Sequence, residues 1–163
     1  MLLESSAEVA KLVKGLQDQG LTLALAESLT GGALTATFVE IPGVSAVLRG
    51  GACTYATDAK ASVLGVSGAR LTETGPVDGV VAAQMASGAC RLFGADVALS
   101  TTGVAGPGPS DGKDAGTVWI AIAGALGAEE RLLHLEGERD QVRAATIRAA
   151  LALLGEYVAA GAS

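Results

Sequence analysis

The segment around Ser28 contains residue types that can carry out acyl-transfer chemistry. Ser28 follows the apolar run LTLALA and precedes a Gly-Gly pair, so it lies between a predicted strand and a predicted helix. Such a turn exposes a hydroxyl group beside unpaired backbone N–H groups. Gly31 and Gly32 are therefore candidate oxyanion donors. In the alternative interpretation, Ser28 or Thr30 only caps the helix, and the glycines only allow close packing.

A lysine is the candidate base for this serine. The one histidine, His134, lies inside the apolar run LLHL and is interpreted as a structural strand residue. Lys60 follows a predicted buried strand in TYATDAK, with Tyr55 five residues before it. A lysine in an apolar pocket loses its proton near neutral pH and can act as a base. The alternative is a solvated Lys60 beside an interface aromatic, Tyr55.

The segment TTGVAGPGP is a third candidate, for binding rather than for catalysis. It follows a predicted central strand, and its glycines allow backbone N–H groups to approach an anion closely. It matches neither the dinucleotide-binding fingerprint nor the phosphate-binding loop of ATPases. The alternative is a flexible connection without a binding role.

Alternating helices and buried strands must position these segments. Hydrophobic periodicity predicts helices over 4–19, 31–39, 58–65, 77–93 and 139–160, strands over 21–26, 52–56, 95–103, 117–124 and 130–137, and a loop over 66–76. This order predicts one domain, 1–163, with a three-layer α/β/α sandwich around a mostly parallel sheet and an antiparallel pair from the last two strands. The turns after the parallel strands then meet at one edge, where ligands bind in open sheets.

Composition excludes several classes of protein. Half of the 163 residues are hydrophobic and 17% are charged, which excludes an intrinsically disordered chain. The net charge of −6 and the scattered cations argue against direct nucleic-acid binding. Cys53 and Cys90 form no CxxC pair, and a single histidine cannot supply a His-rich metal site. We expect a cytoplasmic protein with no signal peptide, membrane span or metal.

Five motifs together resemble a known family. AESLTGG, PGVSAVLRGG, TYATDAK, GPVDGVVAAQMASGA and TTGVAGPGP occur in the order found in the C-terminal domain of the CinA family, and the resemblance covers residues 5–160. It implies nicotinamide-nucleotide amidase activity without a cofactor, which converts nicotinamide mononucleotide into nicotinate mononucleotide and ammonia. It further implies that Ser28 is the essential serine and Lys60 the catalytic lysine, with Tyr55 and Ser45 as polar partners. The nucleophile is Ser28 or Ser45, and Ser28 is preferred.

The resemblance also implies a nucleotide-binding set. Its members are Thr30, Thr102, Gly103, Val104, Ala105, Gly106 and Pro107, with Arg139 or Arg143 on the phosphate. The sequence departs from the family pattern at Leu29, Thr57, Pro76 and Asp78, and in the stretch GPSDGKDAGTVW. The expected partner is a pyridine nucleotide, and helices rich in small residues predict a homo-oligomer.

A protein of another class remains an alternative. A nucleotide-binding regulatory module of the competence or DNA-damage response would keep the pocket and have no turnover. Many CinA proteins carry an additional pyrophosphatase-like domain, which we do not expect within these 163 residues.

Overall fold

The computed structural model describes residues 6–163, in which three helices follow the second strand and the last three strands are consecutive. The helices are α1 (Ser6–Asp18), α2 (Ala33–Val39), α3 (Thr57–Leu64), α4 (Gly68–Thr74), α5 (Gly79–Phe93) and α6 (Arg139–Gly161). The strands are β1 (Leu23–Glu27), β2 (Leu48–Cys53), β3 (Val97–Gly103), β4 (Thr117–Gly124) and β5 (Glu129–His134). Residues 4 and 5 of the first predicted helix lie outside the described residues.

The strands form one sheet in the order β2-β1-β3-β4-β5. β1 pairs in parallel with both β2 and β3, so that Leu25 lies between Gly51 and Leu99. β4 then pairs antiparallel with β3 and with β5. The predicted mixture of parallel strands with an antiparallel pair is confirmed, and the parallel part is confined to β2, β1 and β3.

Helices cover both faces of the sheet, which confirms the three-layer sandwich. β1 is buried on both faces, so its alternate side chains enter two separate cores. Leu23 and Leu25 pack with α1, α2 and α6, whereas Ala24 and Ala26 pack with α5 and the residues around α3 and α4. The alanines leave room for α5 close to the sheet.

The close approach of α5 to α3 requires a glycine. A Cβ atom at Gly88 of α5 would overlap the carbonyl oxygen of Leu64, the last residue of α3. This contact fixes α3 against α5, and α3 contains Lys60.

The loop predicted over 66–76 is wrong, because this segment contains α4. Ser67 caps the helix by accepting a hydrogen bond from the Arg70 N–H, and Leu71 is its one buried residue. Strand β2 also begins earlier than the predicted 52–56, at Leu48.

Helix α6 is long and apolar enough to cross a membrane, judged by length and composition alone. It packs against α1, β3 and β4, and Val142, Ile147 and Leu154 on its inner side are buried. A core helix of this length meets the same criterion, so the observation does not indicate a membrane protein.

Candidate active site

The carboxyl ends of the three parallel strands meet at one edge of the sheet, as the topology predicts. The segments that follow β1, β2 and β3, together with the start of α6, line a cavity of about 380 Å³. The sequence-predicted residues on its wall are Ser28, Tyr55, Lys60, Thr102, Gly103, Val104, Ala105, Gly106, Pro107 and Arg139. Leu29, Thr57, Pro76 and Asp111 line it as well.

Lys60 is buried against Ser28 in the wall of this cavity. Its side chain is 1% exposed, and Nζ donates a hydrogen bond to Ser28 Oγ at 2.9 Å. Nζ also donates to the carbonyl oxygens of Thr54 at 2.6 Å and Tyr55 at 3.4 Å. The structure therefore brings the candidate nucleophile and the candidate base into direct contact, and Lys60 is not the solvated lysine of the alternative interpretation.

Burial changes the protonation of Lys60. Removal of the ammonium group from water lowers the pKa of Lys60 to about 8, while the negative charge of Asp111 acts in the opposite direction. A neutral amine is therefore accessible near physiological pH, and this is the state in which a lysine acts as a base.

The turn that contains Ser28 is held by Glu27, a buried carboxylate. Its oxygens accept hydrogen bonds from the N–H groups of Gly32 at 3.2 Å, Leu34 at 2.9 Å and Thr35 at 2.9 Å, and from the Thr35 hydroxyl. These donors belong to the start of α2, where backbone N–H groups otherwise lack partners. Glu27 thus fixes the position of the turn relative to the helix.

The oxyanion role predicted for Gly31 and Gly32 is wrong. The Gly31 N–H donates to the Ser28 carbonyl oxygen at 3.0 Å, and the Gly32 N–H donates to Glu27 Oε1. Both glycines adopt left-handed backbone conformations, with φ of 58° and 97°, so their place in the tight turn explains the residue type. Among residues 6–163, the Leu29 N–H has no acceptor, and Leu29 lines the cavity.

Thr30 does not reach the cavity, which contradicts its predicted role in substrate binding. It is fully buried, and its hydroxyl forms a hydrogen bond of 2.8 Å with the Thr101 hydroxyl of β3. The same Thr101 oxygen lies 3.5 Å from the Ser28 backbone nitrogen. Thr30 therefore anchors the serine turn to the sheet.

Ser45 lies at the opposite end of the sheet, which rules it out as a partner of Ser28. It is exposed in the 3-10 turn Val44–Ala46, directly before β2 begins. β2 is parallel to β1, and Ser28 follows the last residue of β1. The strand length therefore separates the two serines, and of the two it is Ser28 that lines the cavity.

The two arginines have different roles. Arg139 lines the cavity, where its Nη1 donates to the Gly106 carbonyl oxygen at 2.6 Å and its Nη2 to the Tyr55 hydroxyl at 3.2 Å. Arg143 donates from Nε to the Leu29 carbonyl oxygen and from Nη2 to the Thr30 carbonyl oxygen. Arg143 does not line the cavity and supports the serine turn, so Arg139 is the one of the two arginines that lies at the cavity.

The segment after β3 forms one wall of the cavity. Thr102 is buried, and its hydroxyl donates to the Pro76 carbonyl oxygen at 2.8 Å. Gly106 has a φ of 88° and precedes Pro107 through a cis peptide bond. Gly103, Val104, Ala105 and Gly106 line the cavity. The Val104 N–H donates to the Thr117 carbonyl oxygen at 2.9 Å and the Val104 carbonyl oxygen accepts from the Gly116 N–H at 2.7 Å, so the segment is fixed to the start of β4 and is not a flexible connection.

Sequence reasoning missed Glu27 and Asp111. The signal for Glu27 is a carboxylate at the end of a strand and a few residues before a helix, because the unpaired N–H groups at the helix start favour an anion. Asp111 lies in an Asp-Gly pair, which is a turn signal but gives no sign of a cavity. No cluster of three or more His, Cys, Asp or Glu residues able to hold a metal ion occurs within 6–163.

Comparison with known proteins identifies relatives along almost the whole chain. The family model for the CinA C-terminal domain matches residues 5–158. A CinA-like protein of Geobacter metallireducens is 48% identical over 139 residues, which cover 85% of this chain and 33% of the relative. A CinA-like protein of Geobacter sulfurreducens is 45% identical over 144 residues, covering 88% of this chain and 34% of the relative.

Solved structures of the same superfamily have the same fold. The competence/damage inducible protein CihA from Agrobacterium tumefaciens has a TM-score of 0.89 at 36% identity, covering 96% of this chain and 98% of that one. A CinA superfamily protein from Escherichia coli has a TM-score of 0.88 at 35% identity, covering 91% and 87%. The chain spans about a third of the length of the curated relatives that it matches. By its motifs, its fold and these matches, the chain belongs to the CinA C-terminal domain family.

Proposed function

We propose that this protein is an amidohydrolase that converts nicotinamide mononucleotide into nicotinate mononucleotide and ammonia, with Ser28 as nucleophile and Lys60 as base. The observation that carries the proposal is the 2.9 Å contact between Lys60 Nζ and Ser28 Oγ at a buried position that faces the cavity. Family membership supports the choice of substrate, as the motif resemblance implies.

The acceptors around Lys60 support its role as the base. In the ammonium form, the three N–H groups are directed to Ser28 Oγ and to the carbonyl oxygens of Thr54 and Tyr55. In the neutral form, two N–H groups satisfy the two carbonyls, and the lone pair is directed to the Ser28 hydroxyl. The amine is then oriented to accept the serine proton as the oxygen attacks the carboxamide carbon.

The two half-reactions follow from this arrangement. Ser28 Oγ bonds to the carboxamide carbon while its proton moves to Lys60, and the tetrahedral intermediate carries a negative oxygen. Lys60 returns the proton to the leaving nitrogen, so that ammonia departs and an ester remains on Ser28. Water then loses a proton to Lys60 as it attacks the ester carbon. Lys60 returns this proton to Ser28 Oγ as the bond between the acyl carbon and Oγ breaks, which releases the acid product, ionised as its carboxylate, and restores both Ser28 and neutral Lys60.

The Leu29 N–H is the donor that we assign to the negative oxygen, in place of Gly31 and Gly32. Leu29 follows the nucleophile directly and lines the cavity, and its N–H has no acceptor within the described part of the chain. A well-placed donor of this kind lowers the barrier by about 3 kcal/mol. Arg139 remains the candidate contact for the nucleotide phosphate, because it retains N–H groups beyond those bound to Gly106 and Tyr55.

The test is ammonia release from nicotinamide mononucleotide by the purified protein. We expect release by the wild type, loss of at least about a hundredfold in Ser28→Ala and Lys60→Ala, and no effect of a chelator. Ser45→Ala is the matched control, because Ser45 lies at the far end of the sheet, and it should retain wild-type activity. Saturable nucleotide binding without ammonia release would instead identify the non-catalytic module.

A further inference from the structure

Asp111 is a charged residue of the cavity wall that the proposed reaction does not use. It occupies a two-residue turn between Ser110 and Lys113, whose backbones exchange hydrogen bonds of 3.0 and 2.9 Å. Asp111 and Gly112 both have left-handed backbones, with φ of 52° and 73°, as such a tight hairpin turn requires. The Ser110 hydroxyl donates to Asp111 Oδ2 at 3.2 Å. The carboxylate is thus held at the cavity by a defined turn.

The charges around the cavity are unevenly placed. Its described lining residues include three charged side chains, namely Lys60, Asp111 and Arg139. Arg139 is tied to Gly106 and Tyr55, and no cation of residues 6–163 lies within salt-bridge distance of Asp111. When Lys60 is neutral, the remaining charges of the cavity are therefore the unpaired Asp111 carboxylate and the Arg139 guanidinium.

We propose that Asp111 is a specificity-determining residue that selects a substrate whose carboxamide-bearing ring is positively charged. The inference rests on the proposed function and concerns the choice among nucleotides that enter the same cavity. A pyridinium nucleotide has a cationic ring and an anionic phosphate, which complement Asp111 and Arg139 respectively. A nucleotide with the same carboxamide on an uncharged ring lacks the first of these matches.

The same charge links recognition to the base. Asp111 raises the pKa of Lys60, so on its own it favours the inactive ammonium form. A cationic ring bound beside Asp111 offsets this charge and returns Lys60 toward its neutral form. The other charged side chains that line the cavity with Lys60 are Asp111 and Arg139. A cationic substrate therefore helps to generate the neutral Lys60 that accepts the Ser28 proton.

The test compares two nucleotides in protein that cannot turn over. In a Ser28→Ala background, calorimetry gives the Kd of nicotinamide mononucleotide and of its benzamide analogue, which has a neutral carbon ring with the same carboxamide, ribose and phosphate. Asp111→Asn removes the charge and preserves the turn, because Asn-Gly suits this turn type as well as Asp-Gly. Asp114→Asn is the matched control, since Asp114 is exposed on the same loop and does not line the cavity.

We expect Asp111→Asn to raise the Kd of the cationic nucleotide about fivefold, as for loss of a partly exposed charge pair. The Kd of the neutral analogue should not change in Asp111→Asn. Asp114→Asn should change the Kd of neither nucleotide. With Ser28 intact, Asp111→Asn should also move the acid limb of the kcat/KM profile to lower pH, which a purely structural disturbance would not do. Equal effects on both nucleotides, or none, would overturn the proposal.

The outcomes also separate this inference from the proposed function. If the wild type releases no ammonia but Asp111→Asn still weakens only the cationic nucleotide, the function fails and the recognition role holds. If ammonia is released and Asp111→Asn changes the Kd of both nucleotides equally, only the recognition role fails. If neither nucleotide binds, both proposals fail.

Discussion

At the scale of single residues, the site depends on a lysine that is fully hydrogen-bonded in both of its protonation states. The acceptors of Lys60 are one hydroxyl and two carbonyls, and all lie within 3.4 Å of Nζ. Only the hydroxyl of Ser28 can reverse its role from acceptor to donor when Lys60 loses a proton. A proton can therefore pass between the two side chains without movement of the backbone.

The rate of ammonia release should depend on the protonation of Lys60. In the proposed mechanism the neutral amine is the active form, and the pKa of Lys60 is about 8, so kcat/KM should rise with pH up to about 8 and then level off. Lys60→Arg keeps the positive charge but supplies no base in this range, so it should lose at least about a hundredfold and show no limb near pH 8. Initial rates between pH 6 and 10 check this. Near-normal turnover by Lys60→Arg would remove Lys60 from the role of base.

The sequence was sufficient to predict residue types but not the direction of each polar group. Ser28 and Lys60 stand out because a hydroxyl and an amine follow adjacent strands, although the strand before Lys60, predicted to be buried, is a half-exposed edge strand. The N–H groups of Gly31 and Gly32 look available in the sequence, yet a carbonyl and the Glu27 carboxylate occupy them. Arg139 and Arg143 are both cationic and lie one helical turn apart, and only the three-dimensional arrangement distinguishes the cavity residue from the turn support.

At the scale of elements, the position of Ser28 depends on how β1 joins α2. Glu27 is the last residue of β1, is fully buried and accepts hydrogen bonds from the first residues of α2. A carboxylate at this position satisfies unpaired N–H groups and complements the positive end of the helix. Arg143 holds the other side of the turn through the carbonyls of Leu29 and Thr30.

Glu27→Gln should therefore loosen the turn and slow the reaction. An amide has one acceptor oxygen, and its NH₂ group would face N–H donors, so we expect a loss of about 2 kcal/mol in the free energy of unfolding. Turnover should fall as well, because Ser28 loses its fixed position. Glu40→Gln is the control, since Glu40 is exposed at the other end of α2. Urea unfolding and ammonia release test both effects, and wild-type behaviour of Glu27→Gln would contradict the argument.

The elements that sequence reasoning placed well are those with strong periodicity. Helix α4 was missed because it has one buried residue, Leu71, and therefore almost no hydrophobic period. The start of β2 was missed because LRGG lacks the apolar alternation of a strand. Gly50 and Gly51 are needed there because a Cβ atom would contact the Phe93 ring or overlap the Thr35 side chain. Packing against α5 and α2 therefore requires glycine at these two positions, and such packing is not visible in the local sequence pattern.

At the scale of the whole molecule, the fold buries the basic side chain of Lys60 at the edge of the sheet where the parallel strands end, although the segments that form this edge are largely polar. Two hydrophobic cores pack against opposite faces of the sheet, and the cavity opens where the parallel strands end. Lys60 extends from α3 into this boundary and is among the largest fully buried side chains. Burial of its charge is unfavourable for folding, and the same burial lowers its pKa.

The unfavourable burial of the Lys60 charge predicts how the free energy of unfolding depends on pH. The pKa of Lys60 is about 8 in the folded protein, against the ordinary lysine value of 10.5 that applies to the unfolded chain. Between these values the unfolded state binds the extra proton, so the contribution of Lys60 to the free energy of unfolding increases with pH. Below pH 8 both states are protonated and the full cost of burial remains. The gain from pH 7 to pH 10 should be about 2 kcal/mol.

Comparison with Lys60→Met isolates this contribution from other groups that titrate in the same range. Burial also raises the pKa values of Cys53 and Cys90, whose ionisation opposes the trend, but these groups are common to both proteins. The difference in the free energy of unfolding, wild type minus Lys60→Met, should therefore increase by about 2 kcal/mol between pH 7 and pH 10. Denaturant unfolding at several pH values measures it. A difference that stays constant with pH would mean that Lys60 titrates normally in the folded protein and is not a neutral base near pH 8.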